Sequence, residues 1–276
     1  MRVRTLLCRL AVTAGLVAAL AFGDDPDDAW KNLVMQALSA AGAGDYGKAE
    51  QVFQKALHEA ERFGPGDPRV GATLNSVGLV YKAEKRYTEA EASFRRSLAI
   101  LEKAYGYQSI DVANINFNIA TVLSEQGKAP AALPFLEKSL AGYRRQLGPQ
   151  SLKTASVLCM IGDAHRLMRD WAQAEGPLKQ CAATREANGG VFNGELGDAL
   201  LSLAIVYDNQ GKYALADPRF RLAEKIREKT LGIMSPGLAD VLEIHSAMLK
   251  KMGREVESAK DAALAAAIRR NEHKGR

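Results

Sequence analysis

The glycine spacing nearest the N-terminus is the first pattern that could do chemistry. Gly42, Gly44 and Gly47 fit G-x-G-x-x-G, the spacing with which a βαβ unit holds the pyrophosphate of a dinucleotide. That chemistry requires a preceding strand, whereas the residues before Gly42 are rich in Ala and Leu and favour a helix. The sequence therefore predicts a turn between two helices here, and no bound cofactor.

Histidines and carboxylates offer metal binding and acid–base catalysis. The four histidines lie far apart in the sequence: His58, His165, His245 and His273. A metal site needs three or four converging N, O or S ligands, and no short ligand motif supplies them; only stacking of distant segments could. No Ser/His/Asp motif stands in its required context, and no carboxylate is distinguished as a general acid or base. We therefore expect no metal site, no catalytic residue and no enzyme.

The cysteines leave the redox state open. Cys8 precedes an apolar run and lacks the small neighbours of a lipoprotein cysteine. An oxidising compartment would permit a disulfide between Cys159 and Cys181, but two cysteines do not establish one. The repeat register described below puts Cys181 in a hairpin core and Cys159 on an outer helix face, so we expect two free thiols.

Charge and hydropathy at the N-terminus indicate an export signal. Arg2, Arg4 and Arg9 carry three of the five excess positive charges of the chain, so the remainder is nearly balanced and predicts no nucleic-acid-binding face. An apolar run over 10–22 follows, with small residues after it, which is the pattern of a cleaved secretory signal. Residues 1–23 are thus predicted as a signal peptide, and the mature protein as periplasmic or secreted. The alternative is an uncleaved N-terminal membrane anchor, although a span needs about 20 apolar residues.

A repeat of 42 residues organises the rest of the chain. One column of this spacing is glycine: Gly64, Gly106, Gly148, Gly190 and Gly232. A second column, three residues later, consists of side chains that cap helix N-termini: Asp25, Asp67, Ser109, Ser151, Asn193 and Ser235. Each glycine predicts the end of one helix and each cap the start of the next, which gives repeats of approximately 25–66, 67–108, 109–150, 151–192, 193–234 and 235–276.

Within a repeat, the apolar spacing predicts two helices. Leu74, Val77 and Tyr81 lie on one face of a first helix, and Ala90 and Phe94 on the facing stripe of a second, at the i, i+3, i+4 intervals of amphipathic helices. Small residues opposite each other predict a close approach of the paired helices; they are Gly78, Ala120, Gly162 and Ala204 on the first helices and Ala90, Ala132, Ala174 and Ala216 on the second.

These segments resemble a known repeat family. The matching stretches are Leu74-Asn75-Ser76-Val77-Gly78-Leu79-Val80-Tyr81 with Tyr87-Thr88-Glu89-Ala90, and Leu203-Ala204-Ile205-Val206-Tyr207 with Gly211-Lys212-Tyr213-Ala214-Leu215-Ala216. They are similar to the tetratricopeptide repeat (TPR) family, in its 42-residue kinesin-light-chain-like variety, over residues 25 to about 270. The resemblance implies an all-α fold: an α-solenoid of about six antiparallel helix-turn-helix repeats that form a right-handed superhelix over 24–276. An exported array does not resemble a motor light chain, so that cargo role is not carried across.

The resemblance also implies a partner-binding groove lined by the first helices. The matching positions are Asn75, Leu79, Lys82, Phe117, Thr121, Asp163, Arg166, Leu201, Ile205, Asp208 and Asn209. Phe117, Leu201 and Ile205 are apolar outside the core stripe, and exposed apolar clusters often mark interaction surfaces. The alternative is that these three residues pack against a neighbouring helix.

We therefore expect a non-catalytic protein–protein interaction scaffold of the cell envelope or secreted fraction, which binds a peptide or helix in the concave groove. The alternative is a self-associating structural component that uses an open C-terminal end as a homo-oligomer interface. Neither reading involves nucleic acid or a cofactor, and a membrane enters only if the N-terminal segment is uncleaved.

Overall fold

Helices build all the regular structure of the described chain. The computed structural model describes residues 28–190 and 192–274, so the predicted signal segment 1–23 and the first cap, Asp25, lie outside the described residues. The described residues form twelve helices and no strand. The helices are α1 (Asp28–Gly42), α2 (Tyr46–Glu61), α3 (Pro68–Ala83), α4 (Tyr87–Tyr105), α5 (Ile110–Glu125), α6 (Ala129–Leu147), α7 (Leu152–Leu167), α8 (Trp171–Gly189), α9 (Gly194–Asn209), α10 (Tyr213–Leu231), α11 (Pro236–Lys251) and α12 (Glu255–Lys274).

The helices pair into consecutive hairpins, which confirms the predicted α-solenoid of helix-turn-helix repeats. The chain divides into two compact units between Gln146 and Leu147. The N-terminal unit holds the hairpins α1–α2, α3–α4 and α5–α6, and the C-terminal unit holds α7–α8, α9–α10 and α11–α12. The turn of the first hairpin lies between Gly42 and Tyr46, which confirms that the G-x-G-x-x-G segment connects two helices.

The two 42-residue columns mark helix ends and starts, as the sequence predicts. Every glycine of the first column has a positive φ, for example +79° at Gly106, a conformation that glycine adopts without steric penalty. The caps Asp67, Ser109, Ser151, Asn193 and Ser235 each accept a hydrogen bond from a backbone N–H in the first turn. These bonds satisfy donors that a helix start would otherwise leave unpaired.

Paired helices approach so closely that glycine is needed at some contacts. A Cβ atom built at Gly162 would lie 2.4 Å from Cγ of Leu178 and 3.2 Å from the carbonyl oxygen of Ala174. A Cβ atom at Gly78 would lie 2.6 Å from the ring of Phe94. Since Leu178 and Phe94 are fully buried, neither side chain has room to move away from an added methyl group. The predicted close approach is therefore confirmed.

The structure corrects the prediction of two free thiols. Cys159 and Cys181 form a disulfide, with their Cα atoms 5.4 Å apart, inside the usual range for such bonds. Cys159 lies one helical turn before Gly162 on α7, and Cys181 lies three residues after Leu178 on α8, so the close contact of this hairpin brings the sulfurs together. The prediction was wrong because it placed Cys159 on an outer face and not at the seam between the helices.

The described helices also bear on membrane insertion. None of the helices in the described part of the chain combines the length and the apolar character needed to cross a membrane.

A Gly162→Ala variant tests the close approach. We expect the free energy of unfolding to fall by about 1–3 kcal/mol, because the methyl group overlaps the buried side chain of Leu178. Chemical denaturation measures the change. Gly47→Ala is the matched control: Gly47 is exposed in the first turn of α2, with no atom within 4 Å of a built Cβ, and alanine there should be neutral or slightly stabilising. Equal stability of the two variants would contradict the account.

Reduction tests the disulfide. In a 24–276 chain, which lacks Cys8, we expect a reductant to lower the free energy of unfolding by about 3 kcal/mol, because the bond closes a loop across a sequence separation of 22 residues. Thermal melts with and without reductant measure this difference. A Cys159→Ser, Cys181→Ala double variant should melt identically under both conditions. Two free thiols per unreduced wild-type chain would rule out the bond.

Candidate functional site

The first helices of the repeats carry all eleven predicted groove residues. In each unit we call the surface of these helices the first-helix face; it comprises α1, α3 and α5 in the N-terminal unit and, separately, α7, α9 and α11 in the C-terminal unit. Within each unit, first helices of adjacent repeats pack directly, α3 against α5, and α9 against both α7 and α11. Side chains on this face therefore meet side chains of the neighbouring repeat.

One set of hydrogen bonds on this face joins residues 43 positions apart. The pairs are Trp30 with Thr73 at 3.0 Å, Asn118 with Asn75 at 3.0 Å, and Lys251 with Asp208 at 2.7 Å. In each pair the donor side chain lies on one first helix and the acceptor oxygen on the next or previous one. A separation one residue longer than the repeat thus marks where two adjacent first helices touch.

A second set joins residues 39 positions apart. The Lys82 ammonium donates to the Thr121 hydroxyl at 3.1 Å, and the Ser202 hydroxyl donates to Asp163 at 2.7 Å. The two separations differ by four residues, which is about one helical turn, so the two sets use partner positions that lie one turn apart on the neighbouring helix. Six of the predicted groove residues, Asn75, Lys82, Thr121, Asp163, Asp208 and, through its bond to Asp163, Arg166, therefore belong to networks within the protein.

Three of the predicted groove residues are buried in the structure and so are not accessible to a partner. Asn75, Leu79 and Asp208 are only 6%, 8% and 9% exposed. Asn75 and Leu79 are buried because α3 packs against α2, α4 and α5 at once. Asp208 lies beneath the Lys251 ammonium, which bonds both of its carboxylate oxygens. The prediction treated the whole solvent side of each first helix as accessible, and at these positions it was wrong.

The remaining residues keep accessible surface. In the C-terminal unit, Leu201 and Ile205 are half-buried, one turn apart on α9, and Asn209 is exposed. Asp163 accepts a hydrogen bond from Nε of Arg166 at 2.9 Å, and its side chain is 39% exposed. These residues give one accessible surface in which apolar and charged groups lie on neighbouring first helices.

In the N-terminal unit, Phe117 is the apolar residue of the predicted groove that keeps accessible surface. It is half-buried, and its ring lies 6.3 Å from that of Tyr143 in a tilted arrangement that favours aromatic pairs. The Tyr143 hydroxyl donates to Asn114 at 2.7 Å, and burial raises the pKa of Tyr143. The hydroxyl therefore stays protonated and holds the ring against which Phe117 packs.

Sequence reasoning missed the partners in these networks. Asn118, Ser202 and Lys251 belong to the face, but none was expected there, because each looks like an ordinary solvated residue. The signal that could have found them is the recurrence of polar pairs at separations of 39 and 43, which becomes meaningful only once the helices that touch are known.

Similarity to solved structures places the fold. BtubC (BKLC) from P. vanneervenii matches with a TM-score of 0.66 and 22% identity, over 83% of this chain and 91% of that chain. A putative kinesin light chain from Podosopora anserina with nearly identical TPR-like repeats matches with a TM-score of 0.60 and 16% identity, over 72% of this chain and 95% of that chain. At these identities the likeness shows the fold alone.

Sequence comparison identifies the family. A clustered mitochondria protein homolog from Emericella nidulans is 29% identical over 92 residues, which are 33% of this chain and 8% of that relative. This chain thus spans less than a tenth of the length of that relative. The profile of the tetratricopeptide repeat family matches residues 32–103 and 111–187, which is more than half of the chain. The protein belongs to the tetratricopeptide repeat family.

Proposed function

We propose that this protein is a non-catalytic scaffold that binds a peptide or helix of a protein partner on its first-helix face. Extended surfaces of repeat arrays are typical binding surfaces. The observation that carries the proposal is the half-exposed pair Leu201 and Ile205 on α9, beside polar side chains whose hydrogen bonds are already made within the protein.

The chemistry of this surface favours an amphipathic partner. Leu201 and Ile205 are spaced i, i+4 and so lie side by side on the helix, which suits an apolar side chain from the partner. Asp163 and Arg166 on α7 offer charges of both signs, and the Asp163 carboxylate is fixed by Ser202. Because these side chains are already ordered, binding loses less conformational entropy than it would on a mobile surface.

Export is part of the proposal. The charged and apolar pattern of residues 1–23 supports it, and so does the Cys159–Cys181 disulfide, because disulfides persist in oxidising compartments and are rare in the cytosol. We place the mature scaffold in the cell envelope or the secreted fraction.

Intact-mass analysis of the protein from its source cells tests export. We expect the envelope or secreted fraction to contain a chain that begins close to residue 24, with Cys159 and Cys181 oxidised. Alkylation before and after reduction measures the oxidation state. A cytosolic chain that retains Met1 and alkylates at both positions without reduction would contradict this part of the proposal.

Charge substitutions on the two accessible patches test the binding face. We expect Leu201→Glu in the C-terminal unit, or Phe117→Glu in the N-terminal unit, to reduce crosslinked partner at least about 10-fold, as hot-spot substitutions do. Quantitative mass spectrometry of crosslinked complexes from the native fraction measures this. Each variant is first matched to wild type in helicity and melting temperature.

Leu215→Glu is the matched control, because Leu215 is an exposed leucine on the second helix α10. It should capture the partner as wild type does. If Leu201→Glu and Phe117→Glu both capture as much partner as wild type and Leu215→Glu do, the first-helix face is ruled out as the binding site. Capture of the chain itself and nothing else would identify self-association as the function instead.

A further inference from the structure

A buried histidine on α11 stands where the second to fifth repeats carry buried aliphatic residues. His245 is fully buried, with an exposed fraction of 0%. At 42-residue intervals, the second to fifth repeats carry Val77, Ile119, Ile161 and Leu203, all buried. An aliphatic residue there needs no partner, whereas an imidazole in the core needs one for each ring nitrogen. The C-terminal repeat thus has a side chain that can bind a proton or a metal ion at a position that otherwise serves packing.

Three carboxylates surround this imidazole. Nδ1 of His245 lies 2.6 Å from Glu224 on α10 and 3.2 Å from Asp261 on α12. One ligand atom from each of these three residues lies within 4.8 Å of the other two. Three different helices therefore contribute one nitrogen and two oxygens to the same point.

The other ring nitrogen of His245 contacts the Asp217 carboxylate, which two arginines hold in place. Nε2 of His245 lies 2.9 Å from Asp217, and Asp217 accepts ion pairs from Arg221 and Arg254, both at 3.3 Å. The ring also stacks on Phe220 at 5.1 Å between centroids. A carboxylate on the far nitrogen fixes ring orientation and tautomer in many metal-binding histidines. In this cluster Asp217 does the same and leaves Nδ1 facing Glu224 and Asp261.

The charges of the cluster favour a further cation. Asp217, Glu224, Asp261 and Glu257 face Arg221, Arg254 and Lys260, which leaves one carboxylate unbalanced when the imidazole of His245 is neutral. A divalent cation on Nδ1 of the neutral imidazole would supply positive charge to this excess of carboxylates.

We propose that Glu224, His245 and Asp261 bind a divalent transition-metal ion of the Zn²⁺ type, with water completing the coordination. Imidazole nitrogen with carboxylate oxygens is a donor set that Zn²⁺ accepts at about 2.0–2.2 Å. Tetrahedral coordination at those lengths separates ligand atoms by about 3.3 Å, close to the 3.2 Å between Nδ1 and Asp261. The Glu224 oxygen, at 2.6 Å from Nδ1, lies closer than this separation and would have to move away from the ring.

The site has a route for the ion and a structural consequence. The Glu224 and Asp261 side chains are each 18% exposed, so the metal can enter from their side while the imidazole stays buried. A bound ion would connect α10, α11 and α12, the helices that join the last two repeats. Its effect is therefore stabilisation of the C-terminal unit, and no chemical reaction is assigned to it.

Titration of the metal-free 24–276 chain with ZnCl₂ tests the proposal. We expect one Zn²⁺ per chain by calorimetry, with release of about one proton per ion, and a melting temperature higher by about 5 °C or more at saturating Zn²⁺. MgCl₂ at the same concentration should leave the melting temperature unchanged, since Mg²⁺ prefers an all-oxygen octahedral shell.

Two variants locate the ion. His245→Leu restores the residue type of Leu203 and should fold, but we expect its Zn²⁺ affinity to fall at least about 100-fold, since the only nitrogen ligand is lost. Asp261→Asn keeps the histidine and should lose about 10-fold or more, which gives a second readout if His245→Leu is unstable. His58→Ala, at an exposed histidine on α2, should bind as wild type does.

Either of two results overturns the proposal. Absence of saturable Zn²⁺ binding to wild type at about 100 μM, well above the range of specific sites, would mean that the cluster holds only a proton and acts as a buried ion-pair network. Wild-type affinity in both His245→Leu and Asp261→Asn would mean that Zn²⁺ binds elsewhere. Neither result bears on partner binding at the first-helix face.

Discussion

Close packing between the two helices of each hairpin is the constraint on which the rest of the structure depends. At Gly162 the partner helix lies so near that a Cβ atom would overlap Leu178, at 2.4 Å from its Cγ, and interiors packed at this density do not tolerate an added methyl group freely. This contact fixes the rotation of α7 against α8 and so aligns Cys159 with Cys181. Repeated every 42 residues, the same geometry makes the first helices of adjacent hairpins face each other within each unit.

The hydrogen bonds of the first-helix face follow from that alignment. Bonds between residues 43 and 39 positions apart recur in both compact units, because adjacent first helices within a unit meet in a similar register. These bonds hold the polar side chains in place. Among the predicted groove residues, Leu201 and Ile205, and Phe117 in the other unit, keep apolar surface that a partner can contact. The function we propose therefore depends on the polar network as a support and on the apolar residues as contacts.

The sequence predicts the features that are local. Ser109 and Gly106 act through atoms a few residues away, so their residue types and their 42-residue spacing are enough to place the helix ends. Features that depend on distances between helices are predicted poorly. Cys159 meets Cys181 only because of how closely α7 and α8 pack, and His245 meets Glu224 and Asp261 only because three helices converge. Asp208 looks like a solvated carboxylate in the sequence and is buried under Lys251 in the structure.

Native-state hydrogen exchange, resolved helix by helix in the 24–276 chain, tests most directly whether the hairpin is the unit that everything else depends on. Protein segments that are tightly packed together open cooperatively, with one free energy. In the C-terminal unit the account predicts that the amides of α9 and α10 share one opening free energy, because their seam is packed along its length by Ala204, Phe220 and Ile226, all fully buried. Opening of α10 at a clearly lower free energy, while α9 stays protected, would contradict the account.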